Sequence, residues 1–440
     1  MKSTMRVLLI SYDNDDHIGH LPLGLGYLAS AVGDIANVDI YPQDIYHWPD
    51  ELLTDVVGKY DVVGVGMCAG AYPYQKLLSI SRAINASPDR KRFRYVLGGY
   101  MVSADPEYFL DKTGADGVVV GEGEISFRRW LTEGGRVVKG VLSDVDSIAW
   151  PDYSLFDMAH YSKLRKPGAV NSDRMVPMMS GRGCPFHCNF CWRMDDGFRP
   201  RSAGGIVEEI EYLKTMGINY IFFADDLLMS SESRALEICD ALEPLKVKWC
   251  CSGRLNYASV EVLERMKATG CVFINYGIES LDAVALKMMH KALSPDKIVW
   301  GVENTLKVGI APGLNVLWGN IGETVESLQK GVEFLLKYDS GAQLRTIKPV
   351  TPYPNCELYK IAVDSGKLGG TADFYENVHI NPDKMCVNFT DIPDEEFHNA
   401  LFNANVTLLK NYYQNQNDDT VRAMQKLYFE NAPFRGFRRY

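Results

Sequence analysis

The sequence predicts an α/β chain in two parts, an open five-stranded parallel sheet and then six strand–helix units in barrel-like order, followed by a helical tail. Three observations carry this. Short Val-, Ile- and Leu-rich runs recur between amphipathic stretches. Those runs show little polar alternation, as strands covered on both faces do. The length, 440 residues, exceeds one ordinary core at roughly 150 residues per domain.

In the first part the strands are Met5–Ser11, Val38–Tyr41, Asp61–Gly66, Tyr95–Gly98 and Gly117–Val120, with helices over Gly24–Val32, Tyr74–Ala86 and Glu124–Trp130. Several strands end in glycine: Gly64 and Gly66, Gly98 and Gly99, and, one residue past the strand, Gly121 with Gly123. Glycine there lets the backbone approach a ligand at the carboxyl edge of a parallel sheet, although it can equally serve a tight turn. A linker marked by Pro and Asp runs from Trp150 to Pro167. The second array has strands Met175–Ser180, Asn219–Ala224, Lys248–Ser252, Cys271–Gly277, Gly313–Gly319 and Gln343–Pro349. Helices between them carry the stripes Ile206, Ile210 and Leu213; Leu236, Cys239 and Leu242; and Val260, Leu263 and Met266. Consecutive βα units imply an all-parallel sheet, closed or partly closed. Beyond it, Pro393-Asp394 starts a helix with Phe397, Leu401 and Leu408, and a second helix surrounds Val421–Tyr428. The expected domains are 1–145, a linker at 146–170, a barrel at 171–365 and a helical region at 366–440.

Composition narrows the function. A net charge of -10, from 46 Lys plus Arg against 56 Asp plus Glu, lacks the basic balance of a nucleic-acid binder. No eighteen-residue apolar run suggests a membrane span. A strand-like run begins within five residues, so no signal peptide is expected. Ten cysteines in such a chain point to a reducing cytoplasm rather than a disulfide framework.

Three of them stand out. Gly181-Arg182-Gly183-Cys184-Pro185-Phe186-His187-Cys188-Asn189-Phe190-Cys191-Trp192 places Cys184, Cys188 and Cys191 at C-x3-C-x2-C, directly after the first barrel strand. Thiolates so spaced can converge on one iron–sulfur cube, and three ligands leave one iron open for chemistry. A zinc site recruiting His187, or fortuitous cysteines, are the competing readings.

This segment resembles the radical S-adenosylmethionine (SAM) superfamily, whose C-x3-C-x2-C loop ends the first strand of a partial (β/α)6 barrel. The resemblance implies that Cys184, Cys188 and Cys191 hold a [4Fe-4S] cluster. In that family the open iron chelates SAM, and one electron cleaves it to a 5'-deoxyadenosyl radical. Trp192 matches an aromatic that packs near the cluster or adenine, where ordinary loop packing is the other reading. Asp225 and Asp226 end strand two, where the family contacts the methionine amino group, though either can cap the next helix. Gly277-Ile278-Glu279-Ser280 resembles "G-x-E-S", which implies ribose and methionyl contacts for Glu279 and Ser280. Arg254, after strand three, matches a position for the SAM carboxylate or a substrate anion. Gly319-Asn320-Ile321-Gly322-Glu323-Thr324 resembles "GLPGET" with Ile for Pro. Thr351-Pro352-Tyr353-Pro354-Asn355-Cys356-Glu357-Leu358-Tyr359 resembles "TPYPGTELY" with Asn-Cys for Gly-Thr.

Residues 1–130 resemble the Rossmann-like domain of the cobalamin-binding radical SAM class. Leu21-Pro22-Leu23-Gly24-Leu25-Gly26-Tyr27-Leu28-Ala29 resembles "P-x-G-L-x-Y-L-A", while Val96–Gly99 and Val119–Glu124 resemble "vlGGph" and "vvGEGE", with Tyr100 and Met101 for the Pro and His. The resemblance implies cobalamin contacts at Leu23, Gly24, Gly98, Gly99, Gly121 and Glu122, with Tyr72 beneath the corrin. Asp15 and His17 partly match D-x-H-x-x-G, where a histidine ligates cobalt, but His20 stands at the glycine position. The class generally lacks that ligand. The function implied is cobalamin-dependent methylation of an unactivated carbon in a small-molecule or peptide substrate. Catalytic groups beyond the cluster ligands are not specified by any motif. The other reading is a radical SAM dehydratase, cyclase or rearrangement enzyme. The partner implied is an electron donor, flavodoxin or a similar reductase, with neither nucleic acid nor membrane.

Overall fold

The computed structural model describes residues 5–14, 20–194, 197–414 and 418–430. The chain divides into two compact units, the first comprising residues 1–164, 174–177 and 369–377, the second residues 165–173, 178–368 and 378–440.

The first unit is built on six strands: β1 (Met5–Ser11), β2 (Ala36–Pro42), β3 (Val62–Gly66), β4 (Arg94–Gly98), β5 (Gly117–Gly121) and β6 (Val137–Gly140). They pair in parallel in the order β2-β1-β3-β4-β5-β6. The five strands expected from sequence are present, and β6 extends the sheet beyond them. Its four residues, Val137-Val138-Lys139-Gly140, are too short and mixed to stand out as a strand. Val7 to Ile10, Val62, Val63, Leu97 and Val118 are all but inaccessible, as helices on both faces require. Because every pairing is parallel, the carboxyl ends of β1, β3, β4 and β5 share one edge.

The remaining strands are β7 (Met175–Met178), which falls almost wholly in the 174–177 segment of the first unit, and, in the second unit, β8 (Gly181–Cys184), β9 (Gly197–Pro200), β10 (Tyr220–Phe223), β11 (Lys248–Gly253), β12 (Cys271–Glu279), β13 (Ala311–Trp318) and β14 (Lys348–Pro349). The main sheet runs β14-β13-β12-β11-β10-β7 and is open between its outer strands, a half-barrel. All six strands lie where the βα rhythm places them, with β14 shortened to two residues. On β12 and β13, residues such as Phe273, Ile274, Tyr276, Leu314 and Val316 are buried, while Asn275, Gly277, Asn315 and Leu317 are only half-buried. One feature is additional: β8 and β9 form an antiparallel hairpin that pairs Cys184 with Gly197. Two of the helical stripes are displaced. Leu236 is exposed, and its helix buries Ala235, Ile238, Cys239 and Leu242; Val262, rather than Val260, joins Leu263 and Met266 in the core. The tail helix Asp394–Tyr412 buries Phe397, Leu401 and Leu408 as expected.

Candidate active site: the cysteine loop and the strand ends

The three cysteines sit at the carboxyl end of the half-barrel, Cys184 closing β8 and Cys188 and Cys191 on the loop beyond it. The loop is stitched to the barrel through Asn189. Its amide donates to the Met289 carbonyl at 3.1 Å, and its side chain donates to Met288 O at 3.0 Å. Asn189 and Asn320 exchange reciprocal amide hydrogen bonds of 3.1 and 2.9 Å, and both are buried. The Leu358 amide donates to Asn189 O at 2.9 Å. Arg193 reaches back to Cys184 O at 3.2 Å and meets His187 Nδ1 at 2.7 Å. That contact turns the ring toward a guanidinium, whose protons leave no room for a metal at Nδ1.

Cys188 and Cys191 share a hydrogen bond, which pulls the Cys188 thiol down to about 6 and pushes Cys191 up. Lys291 and Arg254 add positive charge that further favours the Cys188 thiolate. Burial raises Cys184. Closely spaced thiols, one of them already favouring the thiolate under the influence of two cations, suit an iron–sulfur cube. Among the described residues no three His, Cys, Asp or Glu side chains converge on one ion; a cube takes one thiolate per iron corner.

The two aspartates after β10 diverge. Asp225 is buried and accepts from the Ser180 amide at 2.7 Å, the Ser180 hydroxyl at 2.5 Å and the Gly181 amide at 3.1 Å. Burial nevertheless lifts its carboxyl to about 6. Its oxygens therefore fix the junction between β7 and β8. Asp226 is exposed, burial of its surroundings pushes its carboxyl upward, and its charge reaches Cys184.

Arg254 is buried, with its guanidinium 3.5 Å from the centroid of Phe186 in the cysteine loop. It donates to the Lys291 and Ala292 carbonyls, so it organises the site's wall as well as charging it. Glu279 has a left-handed backbone, φ 66°, and its carboxylate accepts from Lys291 Nζ at 2.8 Å, both side chains being buried. A Cβ on Gly277 would strike the Glu279 carboxylate and lie 2.9 Å from Lys291 Nζ, which accounts for the glycine of "G-x-E-S". Ser280 is buried, accepts from the Asp282 amide at 3.2 Å and contacts Glu323. Glu323 accepts from the Gly319 and Asn320 amides at 2.7 and 3.1 Å, and burial raises it to about 7. Trp192 packs with Phe190, Ile321 and Tyr359 around Val350, Cys356 and Leu358.

The departures from the family pattern have local explanations. Asn355 stands at φ 77°, where the family has glycine, and Asn tolerates that region better than most residues. Cys356 Sγ accepts from the Tyr359 amide at 3.3 Å, taking the N-cap place of Thr. Ile321, in place of Pro, has an amide to satisfy, and Asn320 Oδ1 accepts from it at 2.7 Å.

In the first unit the expected contact residues gather at the carboxyl edge. Leu23 and Gly24 open the helix Leu23–Val32, with Gly24 exposed. Tyr72 donates to Asp13 O at 3.0 Å. Gly98 and Gly121 end β4 and β5. Gly99 stands at φ 93°, and a Cβ there would lie 2.5 Å from Met67 O, so only glycine fits. Glu122 is buried with its carboxylate on the Leu142 amide; it secures the segment after β6. Met101 is buried and Tyr100 exposed at the start of the helix Tyr100–Ala104. His17, with Asp15, lies outside the described residues. Glycine-opened loops along one edge fit a flat macrocycle with a nucleotide tail.

Sequence reasoning missed Lys291 and the Asn189–Asn320 pair. Neither carries a sequence signal: Lys291 belongs to no motif, and the asparagines stand 131 positions apart.

The Radical SAM superfamily profile matches residues 178–335, and the B12 binding domain profile matches residues 6–131. An uncharacterized methyltransferase of Pyrococcus horikoshii is 28% identical over 426 residues, 88% of this chain and 89% of that protein. The bacteriochlorophyllide d C-8(2)-methyltransferase of Chlorobaculum tepidum is 26% identical over 380 residues, 80% and 79% of the two chains. Among solved structures, the radical SAM methyltransferase TsrM from Kitasatospora setae shares the fold with a TM-score of 0.69 at 16% identity, over 93% of this chain and 89% of that one. The cobalamin-dependent SAM radical enzyme OxsB shares it with a TM-score of 0.64 at 17% identity, over 89% of this chain and 58% of that one. With a B12 binding domain ahead of a radical SAM half-barrel, the chain belongs to the cobalamin-dependent radical SAM enzymes, which use a [4Fe-4S] cluster, SAM and cobalamin.

Proposed function

We propose that the chain methylates an unactivated carbon of a small, natural-product-type molecule. The observation that carries this reading is the alignment of 88% and 80% of the chain with two proteins named methyltransferases, which spans both domains. When bound, the cofactors supply a 5'-deoxyadenosyl radical and a transferable methyl group; a carbon without acidity or nucleophilicity needs both.

The residues then divide the work. Cys184, Cys188 and Cys191 hold three irons. Asp226 takes the ammonium of SAM, and Asp225 positions the loop through Ser180 and Gly181. Glu279 and Ser280 face the ribose and methionyl groups, Arg254 brings positive charge, and Trp192 walls the site. Leu23, Gly24, Tyr72, Gly98, Gly99, Gly121 and Glu122 shape the cobalamin edge. The domains assigned are 1–145, 171–365 and 366–440, joined by 146–170. A one-electron donor such as flavodoxin in the cytoplasm completes the system, with no role for nucleic acid.

The test is anaerobic reconstitution with iron, sulfide and hydroxocobalamin, followed by incubation with methyl-labelled SAM, dithionite and candidate metabolites. The expected result is 5'-deoxyadenosine together with label in a product carbon. The Tyr100-Met101 departure leaves one rival outcome to read directly. Deoxyadenosine with an unlabelled, dehydrated or cyclised product would replace methylation with the rearrangement reading.

A further inference from the structure

Lys291 has no motif to announce it, yet several features converge there. It is buried, and its ammonium pairs with Glu279 at 2.8 Å. Its neighbours His290 and Ala292 stand at φ 55° and 50°, two left-handed non-glycine residues in three positions. Such backbone is costly and persists where surroundings enforce it. The enforcement is visible. Arg254 donates to the Lys291 and Ala292 carbonyls, and Asn256 donates to the latter at 3.1 Å. Just upstream, Met288 and Met289 accept from Asn189, the residue after Cys188. The strained turn and the cysteine loop are therefore one hydrogen-bonded body, with the lysine turned inward.

We propose that Lys291 is a positioning residue of the radical site, a fixed cation that orients Glu279 for SAM and offsets the negative charge of the thiolate-bound cluster. A [4Fe-4S] cube in its resting 2+ state with three thiolates carries net negative charge, and the electron needed for SAM cleavage adds to it. A cation held in a water-poor site lowers that electrostatic cost. Losing the ammonium also leaves Glu279 a buried, unpaired carboxylate, free to leave its orientation.

The inference rests on Cys184, Cys188 and Cys191 as ligands, so two sets of variants separate the questions. Cys188→Ala retaining wild-type iron, sulfide and SAM cleavage would remove the ligand assignment itself. For the lysine, full-length Lys291→Met and Lys291→Arg are reconstituted anaerobically, their iron and sulfide measured, and the cluster titrated with dithionite under EPR. SAM binding is measured by equilibrium dialysis on the oxidised cluster. Lys291→Met should keep its cluster, titrate at a more negative midpoint potential and bind SAM about tenfold more weakly. Lys291→Arg should recover most of the potential. A wild-type potential and wild-type SAM affinity in Lys291→Met overturn the proposal. So does loss of the cluster in both variants, which would make the lysine a folding residue alone.

Discussion

Asp225 and Asp226 are neighbours at the end of β10 with opposite surroundings, and the contrast decides what each can do. Asp225 spends its oxygens on Ser180 and Gly181; Asp226 faces outward beside Cys184. Asp225→Asn replaces an acceptor with a donor against those groups, so thermal unfolding should show a loss of about 1–3 kcal/mol. Asp226→Asn should melt with the wild type but bind SAM several-fold more weakly, read by equilibrium dialysis. A destabilised Asp226→Asn with unchanged SAM affinity would reverse the two roles. Adjacent carboxylates look equivalent in a sequence. What separates them is a partner 45 positions upstream.

At the scale of elements, the legible parts were those with local periodicity. Continuous apolar runs mark β1, β3, β10 and β12, and three closely spaced cysteines mark the loop. The hairpin of β8 and β9 was not legible, because Gly181-Arg182-Gly183-Cys184 and Gly197-Phe198-Arg199-Pro200 have no apolar alternation and pair across the loop itself. Leu236 fitted a helical stripe numerically, yet Ala235 and Ile238 face the core; a period fixes the spacing of a stripe but not its phase. The helix Glu357–Asp364 shows how a departure can preserve an element. Its cap is a thiol and its entry residue a left-handed Asn. Cys356→Thr should hold or raise the melting temperature, Cys356→Ala should cost about 1 kcal/mol, and Asn355→Gly should be close to neutral. A large loss in Asn355→Gly, measured by the same melt, would mean the Asn side chain matters beyond its backbone.

At the scale of the molecule, strands β1 to β6 belong to the first unit and β8 to β14 to the second, and the two sets of candidate ligands fall on different units. The ten cysteines follow this division: Cys68 alone belongs to the first unit, and the cluster ligands belong to the second. Chemistry that needs both cofactors should then be separable by mutation. Gly99 can take no side chain without displacing Met67, so Gly99→Val should disturb the edge between β3 and β4 and release hydroxocobalamin. The same variant should keep its full complement of iron and sulfide and still cleave SAM to 5'-deoxyadenosine. Cys188→Ala should do the reverse, retaining the visible spectrum of bound cobalamin and losing SAM cleavage. Gel filtration followed by absorbance and metal analysis reads both variants in one experiment. If Gly99→Val keeps its cobalamin, the glycine edge of the first sheet is not where the corrin binds. If it loses both cofactors, the two units do not hold them independently.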